Sequence, residues 1–279
     1  MGVSCLFRIP PNPLHHRTTS CRPRSSLQMP PTATNVEYVL FDMDGLLLDS
    51  EAIYTKVTDT ILADYGKTMS WDIKAGCMGK PEQDAAAHLL SFFPDISLTA
   101  PDYLKRRNAL QDELWPTVPL LPGVRKLVLH LKAHNVPMAV ATSSRRRNFE
   151  LKTGHHGEIF GCFEGKIVCG DDTQWNMRGK PEPDIFLVAA REILGRDVGA
   201  ADATDVTADQ LAERRKGLVF EDALPGMQAG KRAEMSVVWV PDAQLLNVEY
   251  SGEEKADQIL KSLEDFVPEQ WGLPPYAQS

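Results

Sequence analysis

The sequence lacks long hydrophobic runs and is poor in cysteine. No stretch of eighteen consecutive apolar residues occurs in the 279-residue chain, so the sequence predicts no membrane-spanning helix. None of the five cysteines belongs to a CxxC pair; they are Cys5, Cys21, Cys77, Cys162 and Cys169. An odd number of scattered cysteines is typical of reduced thiols, and it argues against a disulfide framework or a zinc site.

Positive charge is also scarce. The chain has 30 Lys and Arg against 38 Asp and Glu, and its formal net charge is −8. Because a negative surface does not attract nucleic acid, we predict no nucleic-acid partner. No GxGxxG motif follows the first predicted strand, which argues against a dinucleotide-binding protein. We therefore expect a small-molecule ligand, no membrane partner and a monomeric protein.

The N-terminal segment lacks acidic residues and lysine. Its first 36 residues carry charge only on arginines, namely Arg8, Arg17, Arg22 and Arg24. This composition is typical of an organelle transit peptide, although several prolines interrupt any long amphipathic helix. Two alternatives stay open. The segment could be a disordered extension, or it could be sequence upstream of a functional translation start at Met29. We treat residues 1–35 as an extension outside the folded domain and predict a cytoplasmic protein, with mitochondria as the alternative location.

What the sequence does contain is an apolar strand that leads into two carboxylates. Residues 36–41 are suited to a strand buried on both faces, and Asp42, Asp44 and Gly45 follow directly. In an extended chain, a spacing of two residues turns both aspartates to one side. Two such carboxylates repel each other unless a cation lies between them, and oxygen ligands favour Mg²⁺. The pattern therefore predicts a divalent metal site.

The remainder of the chain alternates predicted helices and strands. Helical spacing predicts an insert of three helices after the first strand, at 52–65, 82–93 and 101–114, with a loop at 71–80. Further strands are predicted at 136–141, 166–169, 218–220 and 237–240, with a helix at 183–193 and a surface loop or irregular helix at 198–216. Five strands that alternate with helices indicate an α/β fold with a doubly wound parallel sheet.

Polar residues follow the predicted strands where each strand ends. Thr142 ends the second strand, Lys180 follows the third, and Glu221 and Asp222 end the fourth. In open α/β sheets, ligands bind in the crevice outside the carboxyl ends of the strands. The sequence therefore predicts one active site that contains these residues together with Asp42.

Two neighbouring histidines do not fit that site. His155 and His156 have no cysteine or acidic partner at a metal-binding spacing, so we expect them to be structural or surface residues.

These motifs resemble those of phosphatases of the haloacid dehalogenase superfamily. FDMDG, ATSS, GKPEPD and LVFEDALPGMQA match the four motifs of that family, and the resemblance extends over residues 36–276. It is strongest to a subgroup that includes the pseudouridine-5′-phosphatase of animals and the glycerol-3-phosphatases of plants and fungi. The resemblance implies a core of residues 36–49 and 120–279, with a small helical cap domain of residues 50–119 inserted after the first strand.

The same resemblance implies the catalytic roles. Asp42 would be the nucleophile that forms an aspartyl-phosphate, and Asp44 would be the general acid and base. Thr142 and Lys180 would contact the phosphate. The backbone N–H groups of Ser143 and Ser144, at the start of a helix, would add anion-binding donors.

A cofactor and its ligands are implied as well. Mg²⁺ would be held by the Asp42 side chain, the Asp44 carbonyl and Asp222, with Glu221 acting through water. On the cap side, we predict specificity contacts from a set of three residues, Glu51, Tyr54 and Lys80.

The resemblance predicts a Mg²⁺-dependent phosphomonoester hydrolase, and it leaves the substrate open. Our first prediction is pseudouridine 5′-phosphate, and the alternative is glycerol 3-phosphate or another sugar or polyol phosphate. A β-phosphoglucomutase-like phosphotransferase and a non-catalytic protein of this fold are less favoured alternatives. Haloacid dehalogenases lack the second aspartate, so Asp44 argues against a carbon–chlorine substrate.

Overall fold

A computed structural model describes residues 35–77, 82–200, 205–245 and 250–277. The predictions for the N-terminal extension and for the cellular location therefore stay predictions, because residues 1–34 lie outside the described residues. Lys80 also lies outside them. Within the described ranges, no helix is long and apolar enough to cross a membrane.

Among the described residues, parallel strands form a central sheet of six members, in the order β3-β2-β1-β4-β5-β6. The strands are β1 (Tyr38–Phe41), β2 (Met138–Thr142), β3 (Ile167–Cys169), β4 (Gly217–Glu221), β5 (Ser236–Trp239) and β6 (Gln258–Ile259). The predicted α/β fold with a parallel sheet is confirmed. The prediction of five strands was wrong by one, because the two residues of β6 are too short to form a recognisable apolar run.

Helices flank this sheet and also separate its first two strands. Between β1 and β2 lie α1 (Ser50–Ala63), α2 (Trp71–Cys77), α3 (Glu82–Ser91), α4 (Ala100–Leu114) and α5 (Val124–Ala133). The later helices are α6 (Arg146–Thr153), α7 (Gly157–Phe160), α8 (Asp184–Val188, continued by the π-helix Ala189–Ile193), α9 (Ala208–Arg214) and α10 (Leu224–Arg232).

Local capping explains several of these helices. The Asp49 side chain accepts from the Ala52 amide at the start of α1, and Thr99 caps α4 in the same way. Thr207 and Gln210 form a capping box that begins α9 within the segment predicted as a loop or irregular helix. The loop predicted at 71–80 was wrong in its first part, because residues 71–77 form α2 and bury Ile73.

The sheet is covered on both faces by hydrophobic residues. Val39 and Phe41 belong to one hydrophobic cluster, whereas Tyr38 and Leu40 belong to a second cluster. This alternation follows from the two-residue repeat of a strand, and it explains why β1 reads as a continuous apolar run. The parallel register pairs Phe41 with Val140 on one side and with Phe220 on the other, so the strands end at a common edge.

Candidate active site

The residues that follow β1, β2 and β4 meet at this edge of the sheet. Asp42 follows Phe41 directly, and its amide donates to the Phe220 carbonyl of β4 at 3.0 Å. Thr142 is the last residue of β2, Glu221 is the last residue of β4, and Asp222 follows it. The structure thus brings together the polar strand ends that the sequence places in one site.

Lys180 lies among the carboxylates of this cluster. Its ammonium donates to Asp42 Oδ1 at 2.5 Å and to Glu221 Oε1 at 2.6 Å, and it also lies 3.3 Å from the Ala141 carbonyl oxygen. Burial alone would lower the pKa of Lys180, but the two carboxylates raise it above its ordinary value. Lys180 is therefore a permanent positive charge inside the site.

Three buried carboxylates lie close together in this cluster. Asp42, Glu221 and Asp222 offer ligand atoms that all lie within 4.8 Å of one another. Burial raises the pKa of Asp42 to about 7, with the Glu221 charge adding to this effect and Lys180 opposing it. Burial and the charges of Glu221 and Asp42 also hold the pKa of Asp222 well above its usual range. An excess of buried negative charge with oxygen donors fits a divalent cation such as Mg²⁺.

Glu221 also fixes the turn that carries Asp222. Its Oε2 accepts hydrogen bonds from the amides of Asp222 and Ala223, at 3.0 and 3.1 Å. Both Glu221 oxygens therefore already have protein donors, and this arrangement suits a residue that positions Asp222 and Lys180.

Gly45 gives Asp222 the space that it occupies. The residue has a positive φ of 82°, and a Cβ atom there would lie 2.2 Å from Asp222 Oδ2. Only glycine combines that backbone conformation with so close an approach. The Gly45 of the FDMDG motif is thus required by the position of the Asp222 side chain, which directly follows β4.

A buried lysine that the sequence analysis did not single out contacts Asp44. Lys152 of α6 has a side chain that is 0% exposed, and its ammonium lies 2.5 Å from Asp44 Oδ1. Asp44 Oδ2 accepts from the Ser144 hydroxyl at 2.6 Å. The available signal was the position of Lys152, three residues after Phe149 on a helix, which places the two side chains on one face.

The contacts between Asp44 and Lys152 favour the charged form of both partners. Although burial raises the pKa of Asp44, the Lys152 ammonium and the hydrogen bonds from Lys152 and Ser144 bring it below its ordinary value. Conversely, burial lowers the pKa of Lys152, but the Asp44 carboxylate raises it above the ordinary value. The carboxylate form of Asp44 is the form that accepts a proton from water.

The segment after β2 differs from the prediction. Helix α6 begins at Arg146, so the predicted helix start at Ser143 and Ser144 was wrong. The Ser144 amide donates to the buried Thr142 hydroxyl at 3.0 Å, and the exposed Ser143 lies in the same turn. The helix starts later because its first amide, that of Arg146, donates to Asp171 Oδ1, which belongs to the loop after β3.

A cavity of about 580 Å³ connects this cluster to the helices α1 to α4. Its far wall includes Tyr54, Arg107 and Gln111, and the Gln111 side chain is buried with no hydrogen-bond partner for Nε2 among the described residues. Glu51 lines the cavity nearer the strand ends, where it pairs with Lys74 at 3.1 Å. The cavity is therefore lined by carboxylates, a lysine and hydroxyl groups on one side and by polar and apolar groups on the other.

Comparisons with known proteins find a family model and relatives that match most of the chain. A family model described as haloacid dehalogenase-like hydrolase matches residues 39–240. The chain is 42% identical over 247 residues to (DL)-glycerol-3-phosphatase 2 of Arabidopsis thaliana, covering 88% of this chain and 95% of that protein. It is 40% identical over 241 residues to the Drosophila melanogaster protein named "Probable pseudouridine-5'-phosphatase", covering 86% and 96% of the two chains.

A solved structure shares the fold. The crystal structure of a HAD family hydrolase from Deinococcus radiodurans R1, with bound phosphate and sodium, superposes with a TM-score of 0.65 at 23% identity. The match covers 87% of this chain and all of that chain.

Proposed function

Because this chain belongs to the haloacid dehalogenase-like hydrolase family and is a phosphatase of small phosphorylated metabolites, we propose that Asp42 and Asp44 carry its chemistry. The observation that supports this most directly is the pair of separate lysine contacts. Lys180 binds Asp42 and Lys152 binds Asp44, so two adjacent carboxylates have different surroundings. Different surroundings are what two carboxylates need in order to perform different tasks.

In the first step, Asp42 attacks the phosphorus atom of the ester. A bond forms between an Asp42 carboxylate oxygen and phosphorus while the bond from phosphorus to the ester oxygen breaks. Asp44, in the protonated form that the second step regenerates, gives its proton to the departing ester oxygen, which leaves as an alcohol. Lys180 and Thr142 hold the phosphoryl oxygens during this transfer, and Ser143 adds a backbone N–H donor.

In the second step, water hydrolyses the aspartyl-phosphate. Asp44, now a carboxylate, takes a proton from water as the water oxygen attacks phosphorus. The bond between phosphorus and Asp42 breaks, which releases phosphate and restores both carboxyl groups. The lowered pKa of Asp44 favours the carboxylate that this step requires.

The residues that would hold Mg²⁺ are Asp42, Asp222 and the Asp44 carbonyl. Glu221 would position Asp222 by accepting the hydrogen bond from its amide. When bound, Mg²⁺ supplies positive charge between the anionic nucleophile and the anionic phosphate. We also propose that residues 50–119 are a cap that covers the core formed by residues 36–49 and 120–279 and excludes water from the reaction.

Pseudouridine 5′-phosphate is the substrate that we propose first. Pockets for ligands of this size enclose about 300–1,000 Å³, and the cavity of about 580 Å³ falls within that range. Glycerol 3-phosphate is the second candidate, because the Arabidopsis relative described above carries that activity in its name.

Phosphate release from a panel of esters tests these proposals. The panel contains pseudouridine 5′-phosphate, uridine 5′-phosphate, glycerol 3-phosphate, 2-deoxyglucose 6-phosphate and glucose 1-phosphate, each with Mg²⁺ or EDTA. We expect release that depends on Mg²⁺ and is abolished by Asp42→Asn, with pseudouridine 5′-phosphate preferred over uridine 5′-phosphate. Isomerisation of glucose 1-phosphate would favour a phosphotransferase instead, and normal turnover by Asp42→Asn would overturn the proposed mechanism.

A further inference from the structure

The end of α6 contacts the first helix of the insert, α1, and the segment that directly follows its last helix, α4. The Lys152 ammonium lies 3.3 Å from the hydroxyl of Tyr54, which is in the second turn of α1. It also lies 4.2 Å from the ring centre of Trp115, the residue that directly follows α4. The two rings pack edge to face, with their centres 5.1 Å apart.

The two histidines after α6 contact the same returning segment. Nε2 of His155 and Nε2 of His156 lie 2.8 and 2.7 Å from the carbonyl oxygen of Val118. Val118 directly follows the short helix that begins at Trp115. Lys152, His155 and His156 therefore hold residues 115–118 against the core.

Lys152 simultaneously determines the orientation of Asp44. One Asp44 oxygen accepts from Lys152 and the other accepts from Ser144, and the Lys152 ammonium itself lies 3.0 Å from the Ser144 hydroxyl oxygen. These three groups form a closed triangle of polar contacts, and a carboxylate held at both oxygens has little freedom to rotate. A shift of Tyr54 or Trp115 would displace the ammonium and with it the carboxylate.

We propose that Lys152 is a positioning residue that fixes the Asp44 carboxylate for proton transfer and ties its orientation to α1 and to the segment that directly follows α4. This inference rests on the proposed function, since it assumes that Asp44 is the group that moves the proton. It predicts that loss of the ammonium impairs proton transfer more than substrate binding.

Leaving-group chemistry distinguishes this role from a structural ion pair. A 4-nitrophenolate group leaves as a stable anion without a proton, whereas the alkoxide of a sugar or polyol phosphate requires one. For Lys152→Met, we expect kcat on the alkyl ester that the wild type hydrolyses best to fall about 100-fold, within the range of general acid–base catalysis, with KM changed less than about threefold.

The same variant should behave differently with 4-nitrophenyl phosphate. We expect the first turnover to slow less than about fivefold and to release about one equivalent of 4-nitrophenolate in a burst, because only the second step then needs Asp44. A parallel loss of the first-turnover rate on both substrates would overturn the proposal, and so would wild-type turnover of the alkyl ester.

Matched variants accompany this comparison. Lys152→Arg keeps the positive charge and should restore at least about a tenth of the wild-type kcat on the alkyl ester, given the different geometry of the two cations. Lys132→Met removes a half-exposed lysine that pairs with Glu164 outside the site, and it should leave both substrates unaffected. If Lys152→Met does not fold, Lys152→Gln, which keeps a neutral donor, is compared on the same two substrates.

Hydrogen exchange supplies a readout that does not depend on turnover. The Val118 amide donates to the Trp115 carbonyl at 3.2 Å, and this bond should open more often once the ammonium is lost. We expect exchange to accelerate at residues 115–118 and in the first turns of α1 in Lys152→Met, but not in Lys132→Met. Unchanged exchange at both segments would overturn the proposed tie, even if the wild type hydrolysed none of the esters and the proposed function had failed.

Discussion

The ammonium of Lys180 lies 2.5 Å from Asp42 Oδ1, and both side chains are nine-tenths buried. The same ammonium also pairs with Glu221, whose side chain is 1% exposed. One buried cation therefore pairs with two buried carboxylates, while Asp222 has a carboxylate oxygen within 4.8 Å of oxygens of both. This imbalance of charge is the physical reason for expecting a divalent cation in the site.

Replacement of Lys180 by methionine should destabilise the protein strongly in EDTA. Removing one partner of a buried ion pair typically costs about 3–5 kcal/mol, because the remaining charge loses its compensation. We expect Mg²⁺ to recover part of this loss by binding the freed carboxylates. Urea unfolding with EDTA or Mg²⁺ measures both effects.

A surface lysine provides the control for that experiment. Lys166→Met removes an exposed pair with Glu164 and should change the free energy of unfolding by less than about 1 kcal/mol. Equal changes in the free energy of unfolding for the two substitutions would show that the buried ion pair contributes no more than the exposed one.

The stabilisation by Mg²⁺ should increase as the pH rises. The pKa of Asp42 is raised to about 7, and that of Asp222 is also raised. A carboxyl group with a raised pKa in the folded state favours folding below its unfolded pKa and loses this contribution as the pH rises through the folded value. Metal-free protein should therefore lose this contribution between about pH 4 and about pH 7.

Mg²⁺ competes with protons for the same carboxylates, so it should restore stability mainly at high pH. We expect the difference in Tm between Mg²⁺ and EDTA to be larger at about pH 8 than at about pH 5. Differential scanning fluorimetry measures this difference, and Asp222→Asn should remove most of it. A difference that does not vary with pH would contradict the prediction.

Much of the candidate site could be predicted because a polar residue directly after an apolar run marks the end of a buried strand. Asp42, Thr142 and Asp222 each follow an apolar run, and parallel topology then requires the three ends to meet. Local pattern and topology together were sufficient for these residues.

The contacts that were missed depend on residues far apart in the chain. Lys152 acquires its role from Asp44, which is 108 residues earlier, and the start of α6 depends on Asp171 in another loop. The spacing of Lys152 from Phe149 was a weak local signal, because a lysine near the end of a short helix is usually solvated. The two residues of β6 are recognised as a strand from their pairing with β5, which no local sequence pattern shows.

Gly45→Ala should weaken Mg²⁺ binding. The new Cβ would lie 2.2 Å from Asp222 Oδ2, so the carboxylate must move away from its position beside Asp42. We expect the Mg²⁺ concentration for half-maximal activity to rise at least about tenfold, equivalent to about 1.4 kcal/mol. Initial rates across a Mg²⁺ titration measure this shift.

Gly66→Ala is the matched control for that substitution. Gly66 has a positive φ of 66° and no atom within 4 Å of a built Cβ. It should therefore share the backbone cost of about 1–2 kcal/mol without changing the response to Mg²⁺. A similar change of the Mg²⁺ requirement in both variants would assign the effect to backbone strain and not to Asp222.

Gln111→Met should stabilise the free protein and impair its turnover. The Gln111 side chain is buried at the cavity wall, and its Nε2 has no hydrogen-bond partner among the described residues. Replacing a buried amide whose nitrogen is unpaired by an apolar group of similar shape should raise the free energy of unfolding by about 1 kcal/mol. If the amide binds the leaving group, kcat/KM should fall about tenfold, the cost of roughly one hydrogen bond.

The opposite signs of these two effects separate a binding role from a structural role. Gln228 provides the control, because its Nε2 already donates to the Tyr250 hydroxyl at 3.0 Å. Gln228→Met should therefore lower the free energy of unfolding by about 1 kcal/mol and leave kcat/KM unchanged. Urea unfolding and initial rates on the preferred ester measure both quantities for both variants. A Gln111→Met protein that is more stable and fully active would show that the amide does not contact the substrate, because removal of a hydrogen bond formed in the transition state must lower kcat/KM.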